Sequence, residues 1–334
     1  MTPTVKTFNT GFVEAIEQAY PIEVLETLLR DRTTGKNIVW ADDEYEELGE
    51  GYLGADEITL EKITGTNSGV IKPRIAKEHE RQSLRTKSRA EVFTPSWLCN
   101  QMNNHFDEEW FGRPDVFNIQ EDHEWTPTKS VTSFPRRKGF SWKDYVCALR
   151  LEITCGEAPF ICSRYDTVSG EPLPVKARVG FLDRKLRVVT EKSKSYEDWY
   201  EWALRALQST YGYEYQGDNL IIARINVLET FFEHMVDRWD KGPTNEESAH
   251  VAEIISWNIW QMDGLTGTVP SDKPVDIEQA KVFELNEPPV EQMTLFEFDD
   301  PNPPGETAEF CQIFDWEENE PFTYVSLKSK GDAA

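Results

Sequence analysis

The chain has 334 residues, of which 35 are basic and 60 acidic, for a formal net charge of −25. This length predicts two domains or one large domain with additions, and the charge disfavours polyanions over the surface as a whole. No apolar run approaches the roughly 20 residues needed to cross a bilayer, and the start resembles no secretory signal, so no membrane partner and a cytoplasmic location are expected. The five cysteines are odd in number and include no CxxC pair, which argues against disulfides or a structural zinc.

The first 70 residues are predicted to form an acidic, helical N-terminal region. Residues 41–57 contain eight acids and no base, which predicts a solvated loop. Residues 71–89 reverse the sign, with Arg74, Lys77, Arg81 and Arg85 at steps of three, four and four. If this segment is helical, the four bases form one stripe. The stripe is either a DNA-contacting surface or an ordinary solvated face.

The middle of the chain gives weaker patterns. Residues 95–106 predict a helix with Thr94 as the cap, Pro95 at its first position, and Leu98, Met102 and Phe106 on its buried face. Residues 111–141 are rich in Pro, Thr, Ser and Arg and predict irregular structure. A short buried strand is predicted at 149–154, followed by a hairpin-like insertion within 163–194.

Strands and helices alternate more clearly from residue 195 onward. Capping pairs at Ser195 and Asp198 and at Thr244 and Glu247 predict two helix starts, and a third helix is predicted over residues 221–235. Strands are predicted at 149–154, 209–215 and 254–262. This order is typical of a mostly parallel α/β sheet with helices on both faces. Residues 271–308 predict an acidic, proline-rich linker, and residues 309–334 a final pair of strands.

Acidic and small residues follow the three predicted parallel strands. Ligands of open parallel sheets bind beyond the carboxyl ends of the strands. Gly156 and Ala158 allow close backbone approach after the first strand, Glu214 is suited to accept hydroxyl protons of a ribose, and Asp263 to accept from an adenine amine. Each carboxylate taken singly is more often an ordinary solvated residue.

The motifs Ala90-Glu91-Val92-Phe93-Thr94-Pro95 and LEITCGEAPFI resemble paired signatures of DNA amino-adenine methyltransferases that use S-adenosylmethionine. The likeness spans about residues 85–270 and is greatest to phage and prophage restriction-modification methylase subunits. It implies a Rossmann-like methyltransferase domain over residues 71–270. It also implies a cofactor pocket formed by Phe93, Thr94, Pro95, Glu152, Cys155, Gly156, Ala158, Glu214 and Asp263.

The chain departs from the family in two places, mildly in the cofactor turn and more seriously in the catalytic loop. The second glycine of the cofactor turn is Ala158. The family's Asn/Asp-Pro-Pro-aromatic loop has three approximations here, at residues 286–289, 302–305 and 319–322. The last is favoured by its position after a predicted strand, which makes Asn319, Pro321 and Phe322 the catalytic candidates, although it remains open whether any of the three loops is catalytic. Only 12 residues follow Phe322, so a specificity or second subunit is an expected partner.

The peptide Gln292-Met293-Thr294-Leu295-Phe296 resembles the short motifs by which bacterial DNA-processing proteins bind the replicative sliding clamp. In such peptides the leucine and phenylalanine fill an apolar pocket. The alternative is that Leu295 and Phe296 pack on this chain's own domain.

Two functions follow from these observations. The first is methylation of the adenine amino group in DNA with S-adenosylmethionine as cofactor and no metal. The second is a catalytically inactive binding protein of the same fold, acting as a phage anti-restriction factor or an acidic competitor of DNA. The cofactor motifs and the basic stripe favour the enzyme, whereas the degenerate loop and the acidity favour the binding protein.

Overall fold

The computed structural model describes residues 12–77, 94–271, 273–274 and 307–327, and in these ranges the chain is a mixed α/β protein. Its helices are α1 (Phe12–Ala19), α2 (Ile22–Leu29), α3 (Leu60–Ile63), α4 (Ser96–Phe111), α5 (Trp142–Cys147), α6 (Phe181–Lys192), α7 (Tyr196–Gln208), α8 (Gly217–Trp239) and α9 (Asn245–Asn258). Its strands are β1 (Asn118–Glu121), β2 (Glu124–Pro127), β3 (Arg150–Glu152), β4 (Thr210–Glu214), β5 (Ile259–Gln261), β6 (Gln312–Asp315) and β7 (Glu320–Thr323).

The strands β3, β4 and β5 form one parallel sheet in that order. Leu151 pairs with Tyr211, and Tyr213 with Trp260. Helices α6 and α7 lie between β3 and β4 in the chain, and α8 and α9 lie between β4 and β5. The predicted parallel α/β arrangement is therefore confirmed for these three strands.

The predicted capping residues begin two of these helices. The Ser195 hydroxyl accepts from the Asp198 amide at 3.2 Å at the start of α7. Thr244 and Glu247 form a reciprocal capping box at the start of α9. Helix α9 continues to Asn258, so β5 is much shorter than the predicted strand 254–262. Helical hydrogen bonding satisfies the backbone of residues 254–258 before the chain joins the sheet.

The two faces of the sheet are covered differently. Ile259 belongs to the main core, which includes residues of α8 and α9. Tyr213 and Trp260 point to the other face, where they pack with Ile313 and Phe322 of the antiparallel β6–β7 hairpin. The predicted C-terminal strand pair is thus confirmed. Helices on both faces were expected, but in the described part of the chain this hairpin covers the second face.

Strand β3 lies at the edge of the sheet and was wrongly predicted to be buried. Leu149 is 77% exposed, Leu151 43% and Ile153 63%. Within the described ranges only β4 pairs with β3. Leu151 in β3 and the flanking Leu149 and Ile153 therefore keep much of their apolar surface exposed within the described residues.

Helix α4 begins at Ser96, with Pro95 as its cap residue and no side-chain capping bond from Thr94. Its buried face is polar. The Arg184 guanidinium of α6 donates to Asp107 at 2.5 Å and to Asn100 at 2.8 Å. The predicted apolar face is wrong, because Met102 is 45% exposed and Phe106 49%, and Leu98 is only half-buried. This buried charge network orients the helix.

Two predictions for residues 111–194 are also wrong. The segment expected to be irregular contains the β1–β2 hairpin. The expected hairpin-like insertion contains helix α6, which buries Leu182, Leu186 and Val189. These three residues follow helical steps of four and three, so the helical period was present in the sequence.

The N-terminal region shares its core with the rest of the chain. One cluster of buried residues runs from Phe12 in α1 to Ile259 in β5. The acidic stretch 41–57, predicted to be a solvated loop, packs Tyr45 and Tyr52 against Trp40, with ring centroids 4.7 and 5.4 Å away. Among the described helices, none combines the length and the apolar character needed to span a membrane.

Candidate functional site

A cleft of about 1370 Å³ lies at the carboxyl ends of β3 and β4. Its lining includes five of the residues predicted to hold a cofactor, namely Thr94, Glu152, Cys155, Gly156 and Glu214. The cleft is therefore in the position where open parallel sheets bind ligands.

The turn after β3 has an unusual backbone. Thr154, Gly156 and Ala158 all have positive φ angles, of 49°, 53° and 66°. For a non-glycine residue this left-handed conformation costs about 1–2 kcal/mol, so Thr154 and Ala158 are strained. A Cβ atom built on Gly156 would meet no atom within 4 Å. The backbone of this turn therefore borders open space, and its strain is of the kind that occurs at ligand sites.

Glu214 connects the turn after β3 with the end of β4. Its Oε2 atom accepts from the backbone N–H of Gly156 at 2.8 Å, and its Oε1 atom accepts from that of Gln216 at 3.2 Å. The side chain is buried and lines the cleft. These two backbone bonds orient the carboxylate toward the turn after β3.

Glu152 is a second buried carboxyl group in the cleft. Burial raises its pKa well above the ordinary value, and the nearby charge of Glu214 raises it further. The backbone N–H groups of Phe160 and Ile161 oppose this rise, and the Ile161 amide donates to Oε2 at 3.1 Å. A cationic ligand would favour the ionised form of this group.

Glu157 was missed by the sequence analysis. Its Oε1 atom accepts from the backbone amide of Arg74 at 2.6 Å, and its Oε2 atom from the Tyr165 hydroxyl at 2.6 Å. It lies between two residues that had been read as the small, permissive part of the turn. An acid next to a glycine-containing turn was the only signal for it in the sequence.

The first two members of the predicted basic stripe are buried. Arg74 is 3% exposed in a short 3-10 turn, Arg74–Ala76, and lines the cleft. Lys77 forms an ion pair with Asp218 at 2.8 Å, and both side chains are almost fully covered. A helical stripe beginning at Arg74 is therefore wrong. Arg81 and Arg85 lie outside the described residues.

Of the remaining cofactor candidates, three lie away from the cleft lining and one lies outside the described residues. Pro95 precedes α4, and Ala158 is buried within its turn; neither lines the cleft. Asp263 also lies away from the cleft lining. Its backbone pairs with Thr268, and its carboxylate accepts from the Leu265 amide at 2.8 Å. Phe93 lies outside the described residues.

The catalytic candidates are in the β6–β7 hairpin. Asn319 is exposed at the turn, with φ 58°. Pro321 pairs with Phe314, and Phe322 pairs with Ile313 and packs in the cluster under the hairpin. None of the three lines the cleft. Residues of this motif form part of the β6–β7 hairpin. The motif follows a strand, as predicted, but this strand does not place it beside the cofactor turn.

The clamp-binding candidates Gln292, Leu295 and Phe296 lie outside the described residues. Within the described ranges, no cluster of three or more His, Cys, Asp and Glu side chains could hold a metal ion. No protein-family model, curated protein or solved structure matches the chain. The geometry of the cleft and the motif resemblance are therefore the grounds for a functional proposal.

Proposed function

We propose that the cleft binds S-adenosylmethionine and that the chain takes part in methylation of the exocyclic amino group of adenine in DNA. One observation carries the proposal: the Glu214 carboxylate is held at the carboxyl end of β4 by the backbone of the Gly156 turn, inside the cleft. A buried, oriented carboxylate at this point of a parallel sheet is suited to accept both hydroxyl protons of a ribose.

The other lining residues have chemistry that fits the same molecule. Gly156 leaves room for a ligand against the backbone, because it has no side chain and borders open space. Glu152 offers a negative charge to an ammonium or sulfonium group once ionised. S-adenosylmethionine supplies an activated methyl group, and the task of these side chains is to bind and orient it.

The acceptor side of the reaction is less complete. An amine that attacks the methyl group needs hydrogen-bond acceptors that aim its lone pair. Asn319 is the predicted acceptor, yet it lies in the hairpin turn outside the cleft lining. This observation favours the second candidate, a cofactor-binding protein without catalysis that acts against host restriction. It equally favours an enzyme whose second subunit contributes the acceptor.

Two measurements separate these possibilities. Calorimetry of the purified protein with S-adenosylmethionine tests the cleft, and absence of binding at millimolar cofactor would refute the proposal. Incubation with cofactor labelled in the methyl group and unmethylated DNA tests catalysis. Label in adenine supports the methyltransferase, whereas cofactor binding with no label transferred to DNA supports the cofactor-binding protein without catalysis.

We also propose cellular partners from the same motifs. A methylase of a bacterial or phage-infected cell acts in the cytoplasm, where DNA and the cofactor meet. The peptide at residues 292–296 would tether it weakly to the sliding clamp, and so concentrate it at newly replicated DNA.

A further inference from the structure

Residues 125–143 contain five bases and no acid, although the chain as a whole has a net charge of −25. The bases are Lys129, Arg136, Arg137, Lys138 and Lys143. All five are exposed. We call residues 129–143 the basic segment. Its local reversal of sign produces a positive patch on an otherwise acidic surface.

The basic segment is fastened to helix α6. The Arg187 guanidinium donates to the carbonyl oxygens of Phe117 and Thr128, both at 2.7 Å. Glu191 accepts from the Thr132 amide at 2.7 Å, and Lys192 donates to the Thr132 carbonyl at 2.8 Å. The chain is thus held on α6 at Thr128, just before the segment, and at Thr132 within it, which fixes where the segment begins.

The five bases are not neutralised by acids within the described part of the chain, where none of them belongs to an ion pair. Two of them lie on aromatic rings instead. The Arg137 guanidinium is 3.5 Å from the Phe140 ring centroid, and the Lys143 ammonium is 4.4 Å from that of Trp202. Stacking restrains these side chains and leaves their charge available to an anion.

The basic segment reaches the candidate cofactor site. Arg137 and Phe140 line the same cleft as Gly156 and Glu214. The one acid in this part of the lining is Glu109, on helix α4. A polyanion held by the segment would therefore lie along the mouth of the cleft.

We propose that the basic segment contacts the phosphate backbone of a nucleic acid and holds it beside the cleft. Closely spaced arginines and lysines are the groups that contact phosphates. The buried Arg74 and Lys77 cannot serve in this way in the described conformation. Binding at the segment is independent of the cofactor, and only the role of the bound nucleic acid as methyl acceptor rests on the proposed function.

The test compares two triple charge reversals. Lys129→Glu/Arg136→Glu/Lys138→Glu reverses three exposed bases of the segment that do not line the cleft, so the cofactor site keeps all of its lining residues. Its matched control reverses three exposed bases that do not line the cleft, Lys36, Lys194 and Arg205, with the same change in net charge. Fluorescence anisotropy with a labelled DNA duplex is measured from about 50 to 300 mM salt.

For the wild type, affinity should fall steeply with salt. The segment variant should lose at least about tenfold in affinity at low salt, and the slope of log K against log salt should shrink by about three, since each phosphate contact contributes roughly 0.9. The control should stay within about threefold of the wild type. Circular dichroism and cofactor calorimetry on both variants verify that the fold and the cleft are intact.

Several results would overturn the inference: no DNA binding by the wild type, no loss in the segment variant, or an equal loss in the control. Competition by polyglutamate as strong as that by DNA would identify the segment as a docking surface for an acidic polypeptide. If the wild type binds no cofactor but the segment variant alone loses DNA, the inference stands and the proposed function falls.

Discussion

Replacing Glu214 tests the cofactor site most directly. Glu214→Ala removes the carboxylate proposed to hold the ribose and leaves the Gly156 and Gln216 amides without this acceptor. A hydrogen bond to a charged group contributes about 1.5–3 kcal/mol, so affinity for S-adenosylmethionine should fall about 10- to 150-fold. Because the cleft is open to water, the two amides are partly solvated after the change. We therefore expect a loss of only about 1–3 kcal/mol in the free energy of unfolding.

Glu214→Gln separates the two effects. The amide side chain keeps one oxygen for a backbone donor, but it loses the charge and one acceptor. We expect most of the stability to return, while affinity stays about tenfold below the wild type. Glu201→Ala, an exposed acid of α7, is the control for net charge. Calorimetry and urea unfolding measure the two quantities. Wild-type affinity in a folded Glu214→Ala variant would refute the assignment of this carboxylate.

Three further predictions concern other parts of the chain. Burial raises the pKa of Glu152 above its ordinary 4.5, so ionisation of this carboxyl group in the folded protein lowers the free energy of unfolding as pH rises. Glu152→Gln should therefore stabilise the protein against urea, and more at pH 8 than at pH 5. An equal gain at both pH values would contradict the buried carboxyl group. Gly217→Ala would bring a Cβ atom to 2.0 Å from the Val39 carbonyl, so a packing cost of about 1–3 kcal/mol should exceed the helical gain of at most about 1, with a lower melting temperature as the readout. Leu295→Ala/Phe296→Ala should abolish recovery of bacterial sliding clamp in a pull-down; unchanged recovery would end the tether proposal.

The sequence alone predicted those elements whose signals are local. Ser195 and Thr244 cap helices because a short side-chain oxygen satisfies amides three residues away, which requires no tertiary partner. The buried stripe of α8 and the parallel strands around Tyr213 follow from periodicity in the same way. Glu152, Gly156 and Glu214 reach one cleft because parallel strands end at the same edge of a sheet.

The tertiary structure decided which faces are covered and which charges are used. Helix α4 buries Asn100 and Asp107 rather than Met102 and Phe106, because Arg184 on a distant helix satisfies their polar atoms. Arg74 is buried rather than presented to solvent, and its backbone amide donates to the cleft-lining Glu157, 83 residues away in the chain. Such partners are far apart along the chain, and the free energy of burying a polar group depends on whether the partner is present. No local pattern contains that information.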